Sequence, residues 1–385
     1  MKLQPISKGA RIDAVDALRG FALLGVLIAN IPVAGPDAIT GQWDSILTLL
    51  SHLLIDKKFI TAFSILFGFG FYIQMKRAEE KSINFRRYFL IRMGLLFVIG
   101  LVHSYGLWNG DIIMSYALGG VFLLLVRKWS VKKLFLSALL FNVLFTGIFF
   151  IGNSAFGWQI YDYDYALDGE YPITLSFARY LTINFIMNPW TNFLKDMPIT
   201  LVFTFGNMLV GLILGKLDFF RLPKKARKLA NYLIILGATV GFASSFFYHK
   251  VMAGELELDL PLLWVPFVLA GGMVLQSLFY ISLFVRAYQY VKFKKILQFF
   301  NNVGRTALSN YILQSIFYLF LFYHCTHAFQ LFGKITMGET YLLALLLFVL
   351  QTLLSYLWLK RYTQGPLEYI WKKISYGMAK FKLPG

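Results

Sequence analysis

Ten apolar runs constrain this chain more than any other feature of its sequence. A hydrocarbon core about 30 Å thick needs about 20 apolar residues in each helix that crosses it. Runs of about that length lie near 17–34, 59–75, 89–107, 111–126, 134–152, 198–215, 229–248, 262–284, 305–324 and 340–359. The sequence therefore predicts an all-α integral membrane protein with ten transmembrane helices. No change of composition marks a domain boundary, so we expect a single polytopic domain over residues 1–385.

The overall composition agrees with lipid as the solvent. Of the 385 residues, 58% are hydrophobic and 15% are charged, and a soluble domain this apolar lacks the polar side chains to cover its surface. The single cysteine, Cys325, excludes an intramolecular disulfide and any cysteine-based metal or iron–sulfur centre. The five histidines show no metal-ligand spacing with carboxylates, so we expect no metal site.

Basic residues are unevenly distributed between the predicted loops. If the loops alternate sides, the N-terminus, residues 76–92, 127–133, 216–228 and 286–305, and the tail from Lys360 hold 31 of the 37 lysines and arginines. Cytoplasmic loops retain lysine and arginine, so both termini are predicted to be cytoplasmic. The net charge of +18 then reflects topology, and we expect anionic lipid headgroups, not nucleic acid, as the partners of these loops.

Two segments outside the apolar runs have distinct compositions. Residues 153–197 form the longest predicted extracytoplasmic loop and include the acidic, aromatic stretch "YDYDYALDGEY". We interpret this loop as solvated, with a short amphipathic helix; sugar or cation binding is the alternative. The cytoplasmic tail, 364–385, contains "GPLEYIWKKISYGM", which predicts a proline-started amphipathic helix on the inner membrane surface.

Polar side chains inside the predicted spans are the candidate functional residues, because they cost a few kcal/mol near the bilayer centre and usually face the protein interior. His103 and Asp111 lie in the hairpin "GLVHSYGLWNGDIIMSYALGG", and His103 is about 16 Å along its helix from the inner edge at Arg92. A carboxylate that orients a histidine makes it a better general base. The alternative is a hydrogen bond that only locks two helices. Trp108, at the predicted outer boundary, is a candidate substrate contact.

Amides in two other spans have a similar ambiguity. Asn310 and Gln314 are four residues apart and share one face of the ninth span. They predict either substrate contacts or interhelical hydrogen bonds. Asn30, near the end of the first span, has the same two interpretations.

Lys57 and Lys58 break the charge asymmetry because they lie on the predicted outer side. With His52, they are candidates for neutralising a phosphate or carboxylate on an outward-facing substrate. The alternative is that the two lysines extend their amines to lipid headgroups. His52 is also the second candidate for a catalytic histidine, after His103.

A second polar group is expected at the cytoplasmic side. Asp16 and Arg19 lie three residues apart in "RIDAVDALRGFALLGVLIAN", Arg305 opens the ninth span, and Glu368 follows the tenth. We expect these four residues to converge into one substrate-binding site. The alternative for Asp16 and Arg19 is an ion pair that anchors the orientation of the first helix.

Five stretches together resemble the YeiB family of bacterial membrane proteins, a domain-of-unknown-function family (418). They are "RIDAVDALRGFALLGVLIANI", "KFITAFSILFGFGF", "GLVHSYGLWNGDIIMSYALGG", "GRTALSNYILQS" and "GPLEYIWK", and they span nearly the whole chain. The resemblance implies a multi-pass protein of the bacterial plasma membrane. The opening "DALRGFA" is also distantly similar to membrane acyltransferases of the acyltransferase-three and heparan glucosaminide acetyltransferase types.

The acyltransferase resemblance implies transfer of an acyl group from a cytoplasmic acyl-CoA-like donor to an extracytoplasmic glycan, lipid or small molecule, with no covalently bound cofactor. Arg19 and Arg305 would bind the donor phosphates, and His103 with Asp111 would supply the base. Asn30 stands near the position where the acyltransferase-three pattern has a histidine, so it is expected to donate to the oxyanion. A transporter or channel that uses the same polar groups is the alternative function.

Overall fold

The computed structural model describes residues 12–31, 42–80, 84–148, 176–188, 190–191, 197–256, 265–322 and 329–380. These residues form helices and turns, and no strand occurs among them. The longer helices, in chain order, are α1 (Asp13–Asn30), α2 (Gln42–Leu54), α3 (Lys58–Glu80), α4 (Phe85–Gly106), α5 (Ile113–Val126), α6 (Val131–Ile148), α7 (Phe177–Ile186), α8 (Met197–Lys216), α9 (Lys224–Met252), α10 (Val265–Ala287), α11 (Val291–Leu297), α12 (Asn301–Arg305), α13 (Ala307–Phe322), α14 (Met337–Arg361) and α15 (Pro366–Lys380).

The apolar helices are those of a membrane protein. Within the described part of the chain, α4, α6, α9, α10 and α14 are each long and apolar enough to cross a membrane. Apolar helices of 10–17 residues lie in α5, α8 and α13. Together with α1 and α3, these helices overlap all ten predicted runs in the described part of the chain. An all-α membrane protein is thus confirmed, whereas the number of crossings and the side of the termini stay predictions.

The central helices approach one another closely at glycines. A Cβ atom on Gly68 of α3 would lie 2.0 Å from the Met208 carbonyl oxygen of α8, and one on Gly211 would lie 1.9 Å from the Ile65 carbonyl oxygen. Only glycine permits this backbone contact, as in small-residue packing of membrane helices generally. The α3–α8 pair therefore forms a tightly packed centre for the bundle.

The C-terminal helix α15 begins at Pro366, as the sequence predicts. It packs against α4, where Trp371 Nε1 donates to the Arg92 carbonyl oxygen at 2.8 Å. The Arg92 guanidinium also lies 3.8 Å from the centroid of the Trp371 ring. Ile370 and Met378 of α15 are each about half exposed. The helix is thus anchored to protein on one face, and its position on the inner membrane surface stays a prediction.

Candidate functional site

The turn between α4 and α5 brings together the predicted histidine and aspartate. His103 lies in the last turn of α4, and its Nδ1 is 2.8 Å from Asp111 Oδ1. Asp111 precedes α5, and its Oδ2 accepts the Met114 backbone N–H at 2.9 Å. The free N–H groups of a helix N-terminus favour a carboxylate at this position. The carboxylate is therefore fixed by backbone while it holds the imidazole.

Gly100 makes this arrangement possible. It lies one turn before His103 on α4, and a Cβ atom there would be 2.8 Å from the Met114 backbone nitrogen and 3.2 Å from Asp111 Oδ2. Real Cβ atoms are almost never found that close to backbone. A side chain at residue 100 would therefore push the start of α5, and Asp111 with it, away from His103.

A serine that the sequence analysis did not select completes the arrangement. His103 Nε2 lies 2.8 Å from Ser315 Oγ on α13. His103 is 1% exposed, Asp111 6% and Ser315 2%. An ionised Asp111 only accepts hydrogen bonds, so it favours the proton on Nδ1 and leaves the Nε2 lone pair to accept from the Ser315 hydroxyl. We call Asp111, His103 and Ser315 the relay; its order of contacts is that of the Ser-His-Asp hydrolases.

Aromatic side chains surround the relay. The Tyr311 ring lies 5.2 Å from the His103 ring, centroid to centroid. Tyr318, one turn beyond Ser315, is 4% exposed, and its hydroxyl has no hydrogen-bond partner among the described residues. The predicted substrate contact Trp108 lies edge-on to Tyr318, at 6.0 Å between ring centroids. A buried hydroxyl without a partner costs about 1–3 kcal/mol, so Tyr318 marks a place where a ligand group would be stabilised.

Asn310 and Gln314 form the predicted shared face, and it is turned to α14. Asn310 Nδ2 donates to Thr306 Oγ1 at 2.7 Å and to Ser355 Oγ at 2.9 Å. Gln314 Nε2 donates to Gln351 Oε1 at 3.2 Å, and Gln351 Nε2 donates to the Asn310 carbonyl oxygen at 2.9 Å. These bonds correspond to the interhelical interpretation. A substrate contact by either amide stays a prediction.

Near the turn between α2 and α3 lies a separate polar group, which we call the outer cluster. It comprises His52, Asp56, Lys58 and His249. His52 Nδ1 lies 3.0 Å from His249 Nδ1, and His52 Nε2 lies 3.6 Å from Asp56 Oδ2. Lys58 is fully buried, donates to the His52 carbonyl oxygen and lies 5.7 Å from the Tyr248 ring centroid. Burial lowers the pKa of His52, and the negative charge of Asp56 opposes this effect.

The two lysines before α3 have different environments. Lys57 is exposed, at a turn where its φ is +64°. Lys58 is buried against α2, so its amine does not extend toward headgroups. Asn30, in contrast, ends α1 as a half-buried residue. Its role as an oxyanion donor stays a prediction.

At the predicted cytoplasmic side, α1 and α12 touch through their backbones. A Cβ atom on Gly304 would lie 1.7 Å from the Asp16 carbonyl oxygen, so the segment with Arg305 lies beside the start of α1. Arg19 Nη1 is 3.4 Å from Asp16 Oδ1. Arg305 Nη2 donates to the Thr363 carbonyl oxygen at 3.1 Å. Arg305 thus reaches the segment before α15, whereas Arg19 Nη2 lies 3.1 Å from the Cβ position of Gly70 on α3. The convergence of these residues into one substrate-binding site stays a prediction.

Glu368 has a different set of contacts. Its Oε1 accepts the backbone N–H groups of Leu308 at 2.7 Å and Ser309 at 3.2 Å, and its Oε2 accepts the Ser309 hydroxyl. Burial raises the pKa of the Glu368 carboxyl, and these hydrogen bonds oppose that effect. Glu368 therefore caps α13, the helix that carries Ser315. Its predicted contact with substrate remains untested by this geometry.

Among the described residues, no group of three or more His, Cys, Asp or Glu side chains is arranged to hold a metal ion. Cys325, His324 and His327 lie outside the described ranges. The fold and the relay together define an all-helical membrane protein with a buried carboxylate–imidazole–hydroxyl site.

Comparison with known proteins identifies relatives for this architecture. Residues 214–378 match the family described as "Protein of unknown function (DUF418)". The chain is 29% identical over 406 residues to uncharacterized protein YxaH of Bacillus subtilis (strain 168), with 97% of this chain and 96% of that protein covered. It is 26% identical over 392 residues to uncharacterized protein YeiB of Escherichia coli (strain K12), with 94% and 95% covered.

A third relative, the uncharacterized 39.9 kDa protein in the amylase 3′ region of Bacillus acidopullulyticus, is 27% identical over 390 residues, with 97% of this chain and 96% of that protein covered. No solved structure matches. The chain thus carries a DUF418 match and resembles YeiB along nearly its whole length, which confirms the family resemblance that its motifs indicate. The DUF418 match includes Ser315, and the full-length alignments extend across the region of His103.

Proposed function

We propose that this protein is a membrane acyltransferase. It moves an acyl group from a cytoplasmic acyl-CoA-like donor to an extracytoplasmic glycan, lipid or small-molecule acceptor. The observation that carries the proposal is His103, held at 2.8 Å on one side by Asp111 and at 2.8 Å on the other by Ser315. If the His103–Asp111 hydrogen bond only locked two helices together, the contact between His103 Nε2 and the Ser315 hydroxyl would have no role.

The relay has the parts that acyl transfer requires. With Nδ1–H directed to Asp111, Nε2 of His103 removes a proton from a hydroxyl as that hydroxyl attacks the acyl carbonyl. The Asp111 carboxylate then stabilises the imidazolium that forms. The low exposure of all three residues excludes water, which would otherwise hydrolyse an activated acyl group.

The donor is proposed to enter from the cytoplasmic side. Arg19 and Arg305 supply guanidinium groups suited to the phosphates of a CoA nucleotide. Asp16 positions Arg19, and Glu368 fixes the start of α13, so neither carboxylate needs to touch the donor. Because Arg305 also bonds to the Thr363 carbonyl oxygen, donor binding there is coupled to the position of α15.

The acceptor is proposed to approach the relay from the outer side. Trp108, at the predicted outer boundary, contacts Tyr318 edge-on. Asn30 is assigned a smaller role as a donor to the developing oxyanion. Lys57, which is exposed and predicted to lie on the outer side, is the lysine suited to attract an anionic acceptor.

The test is thiol release from acetyl-CoA and palmitoyl-CoA by the purified protein in lipid nanodiscs. We expect His103→Ala to lower the rate about 10²–10⁴-fold, the usual contribution of a general base. Ser282→Ala is the matched control, because Ser282 is a fully buried polar residue on α10 with no place in the relay. No release by wild type, with His103-dependent proton uptake into proteoliposomes, would favour transport instead.

A further inference from the structure

We infer that Ser315 is the nucleophile that carries the acyl group as a covalent ester; this inference rests on the proposed function. The acyl group would then move in two displacements, first from the donor to Ser315 and then from Ser315 to the acceptor. The alternative within the same function is direct transfer, in which His103 activates the acceptor and Ser315 only packs.

The environment of Ser315 differs from that of three other buried serines in the described chain, Ser64, Ser244 and Ser277. Ser244 and Ser277 donate to carbonyl oxygens of their own or a neighbouring helix. Ser64 bonds to the Ile60 carbonyl oxygen and the Tyr116 hydroxyl. Such bonds satisfy a helical serine without activating it. The Ser315 hydroxyl bonds instead to an imidazole that is itself held by a carboxylate, the arrangement that makes serine a nucleophile.

The depth of Ser315 also suits a covalent carrier. Ser309 and Arg92 both contact α15 at the predicted cytoplasmic side. Ser315 is about 9 Å along α13 from Ser309, and His103 is about 16 Å along α4 from Arg92, at 1.5 Å per residue. In a core about 30 Å thick, the relay thus lies near the middle. A donor whose phosphates stay at the inner edge can deliver its acyl carbon there, and an outer acceptor can collect it.

Tyr318 supplies a group for the charge that develops in each displacement. It lies three residues after Ser315, so both side chains point to the same side of α13. Its buried hydroxyl is without a partner in the described chain. An acyl carbonyl oxygen beside Ser315 would accept a hydrogen bond from the Tyr318 hydroxyl. This hydrogen bond would stabilise the oxygen most as it becomes an oxyanion.

The chemical steps balance without a further reactant. Ser315 Oγ forms a bond to the acyl carbon of the thioester, and its proton moves to His103 Nε2. The C–S bond breaks, and the leaving thiolate takes that proton. The acceptor hydroxyl then attacks the Ser315 ester and gives its proton to Nε2. When the ester bond breaks, Ser315 Oγ recovers the proton. One thioester and one alcohol become one ester and one thiol.

A fluorophosphonate probe tests the inference on the wild-type protein, because an activated serine hydroxyl displaces its fluoride and is phosphonylated, whatever the natural donor is. We expect peptide mapping by mass spectrometry to place the adduct on Ser315. His103→Ala should reduce labelling at least about tenfold, since the probe needs the activated hydroxyl. The matched control Ser282→Ala should label as wild type does. Ser315→Ala should abolish labelling, and Ser315→Cys should restore a modifiable nucleophile, detected with iodoacetamide in a Cys325→Ser background.

The outcomes separate this inference from the proposed function. No adduct on Ser315, or an adduct insensitive to His103→Ala, would overturn the inference. If His103-dependent thiol release persisted in Ser315→Ala, the acyltransferase would stand and direct transfer would replace the covalent carrier. A His103-dependent adduct on Ser315 without thiol release from acetyl-CoA or palmitoyl-CoA would support the nucleophile while rejecting these donors.

Discussion

The relay and the outer cluster each pair a histidine with an aspartate, but the two pairs differ in distance and in exposure. In the relay, His103 lies 2.8 Å from Asp111, and the two side chains are 1% and 0% exposed. In the outer cluster, His52 lies 3.6 Å from Asp56, and the side chains are 16% and 22% exposed. A short, dry pair holds one geometry, whereas a longer, wetter pair exchanges with water and is weakened by it.

The backbone explains the difference. Asp111 is held by the Met114 N–H at the start of α5 and admitted by Gly100. Asp56 is held by a side chain, the Ser51 hydroxyl, at 2.8 Å, in the turn between two helices. The comparison indicates that a backbone N–H fixes the Asp111 carboxylate, whereas a side-chain hydroxyl that can rotate holds the Asp56 carboxylate.

The largest expected effect is in cysteine labelling, which tests whether the outer cluster faces the extracytoplasmic side. In a Cys325→Ser background, Lys57→Cys should react fully with an impermeant maleimide in intact cells, because Lys57 is exposed and predicted to be outside. Lys224→Cys, in the predicted cytoplasmic loop, should react only after the cells are opened. The reverse pattern would invert the topology and place the donor on the other side.

Removing one carboxylate from each pair should separate their functions. Asp111→Asn should lower thiol release by at least about 10²-fold, because the amide removes the charge that stabilises the imidazolium and permits the wrong tautomer. Asp56→Asn should change it less than about threefold, as expected for a partly exposed ion pair. The measurement is initial rate at saturating acetyl-CoA. Equal losses in the two variants would show that the clusters act as one site.

Gly100→Ala tests whether close backbone approach maintains the relay. The new Cβ atom would lie 2.8 Å from the Met114 nitrogen, so we expect a loss of about 1–3 kcal/mol in stability and about tenfold in rate. Gly94→Ala on the same helix is the control, since nothing lies within 4 Å of its Cβ position and alanine favours helix. Equal thermal unfolding of both variants would contradict the packing argument.

Much of the fold follows from local sequence. Bilayer thickness sets the length of an apolar run that can cross, and each of the ten predicted runs overlaps a helix in the described part of the chain. Proline at a first helical position predicts where α15 begins, and the short turn after His103 predicts its contact with Asp111. Each of these inferences needs only residues close together in the chain.

Ser315 and Lys58 show where sequence reasoning ends. In a helix that is apolar on most sides, no periodicity identifies which neighbour a small hydroxyl will meet. His103 and Ser315 are 212 residues apart in the chain. Helix packing brings them together, and the spacing of residues in the sequence does not predict that packing. For Lys58, charge predicts an exposed amine, but the turn after α2 places the His52 carbonyl oxygen where it satisfies that amine. Tertiary hydrogen bonds thus override the surface preference of lysine.

The smallest expected effect is a pH dependence from the outer cluster. Burial lowers the pKa of His52 in the folded protein, so the folded state favours the neutral ring. The resulting stability is complete above the ordinary histidine pKa of about 6.5 and is lost as the pH falls through the lower folded value. Asp56 favours protonation, whereas His249 and Lys58 oppose it.

Thermal unfolding at pH 7.5 and 5.5 measures this balance. Between these values the melting temperature of wild type should fall by less than about 1 °C more than that of His52→Gln, which has no proton to gain; for a chain of 385 residues this shift corresponds to less than about 1 kcal/mol. If Asp56 dominated, acidification would instead stabilise wild type relative to His52→Gln. That reversal would make the outer cluster a proton-binding site in the folded state.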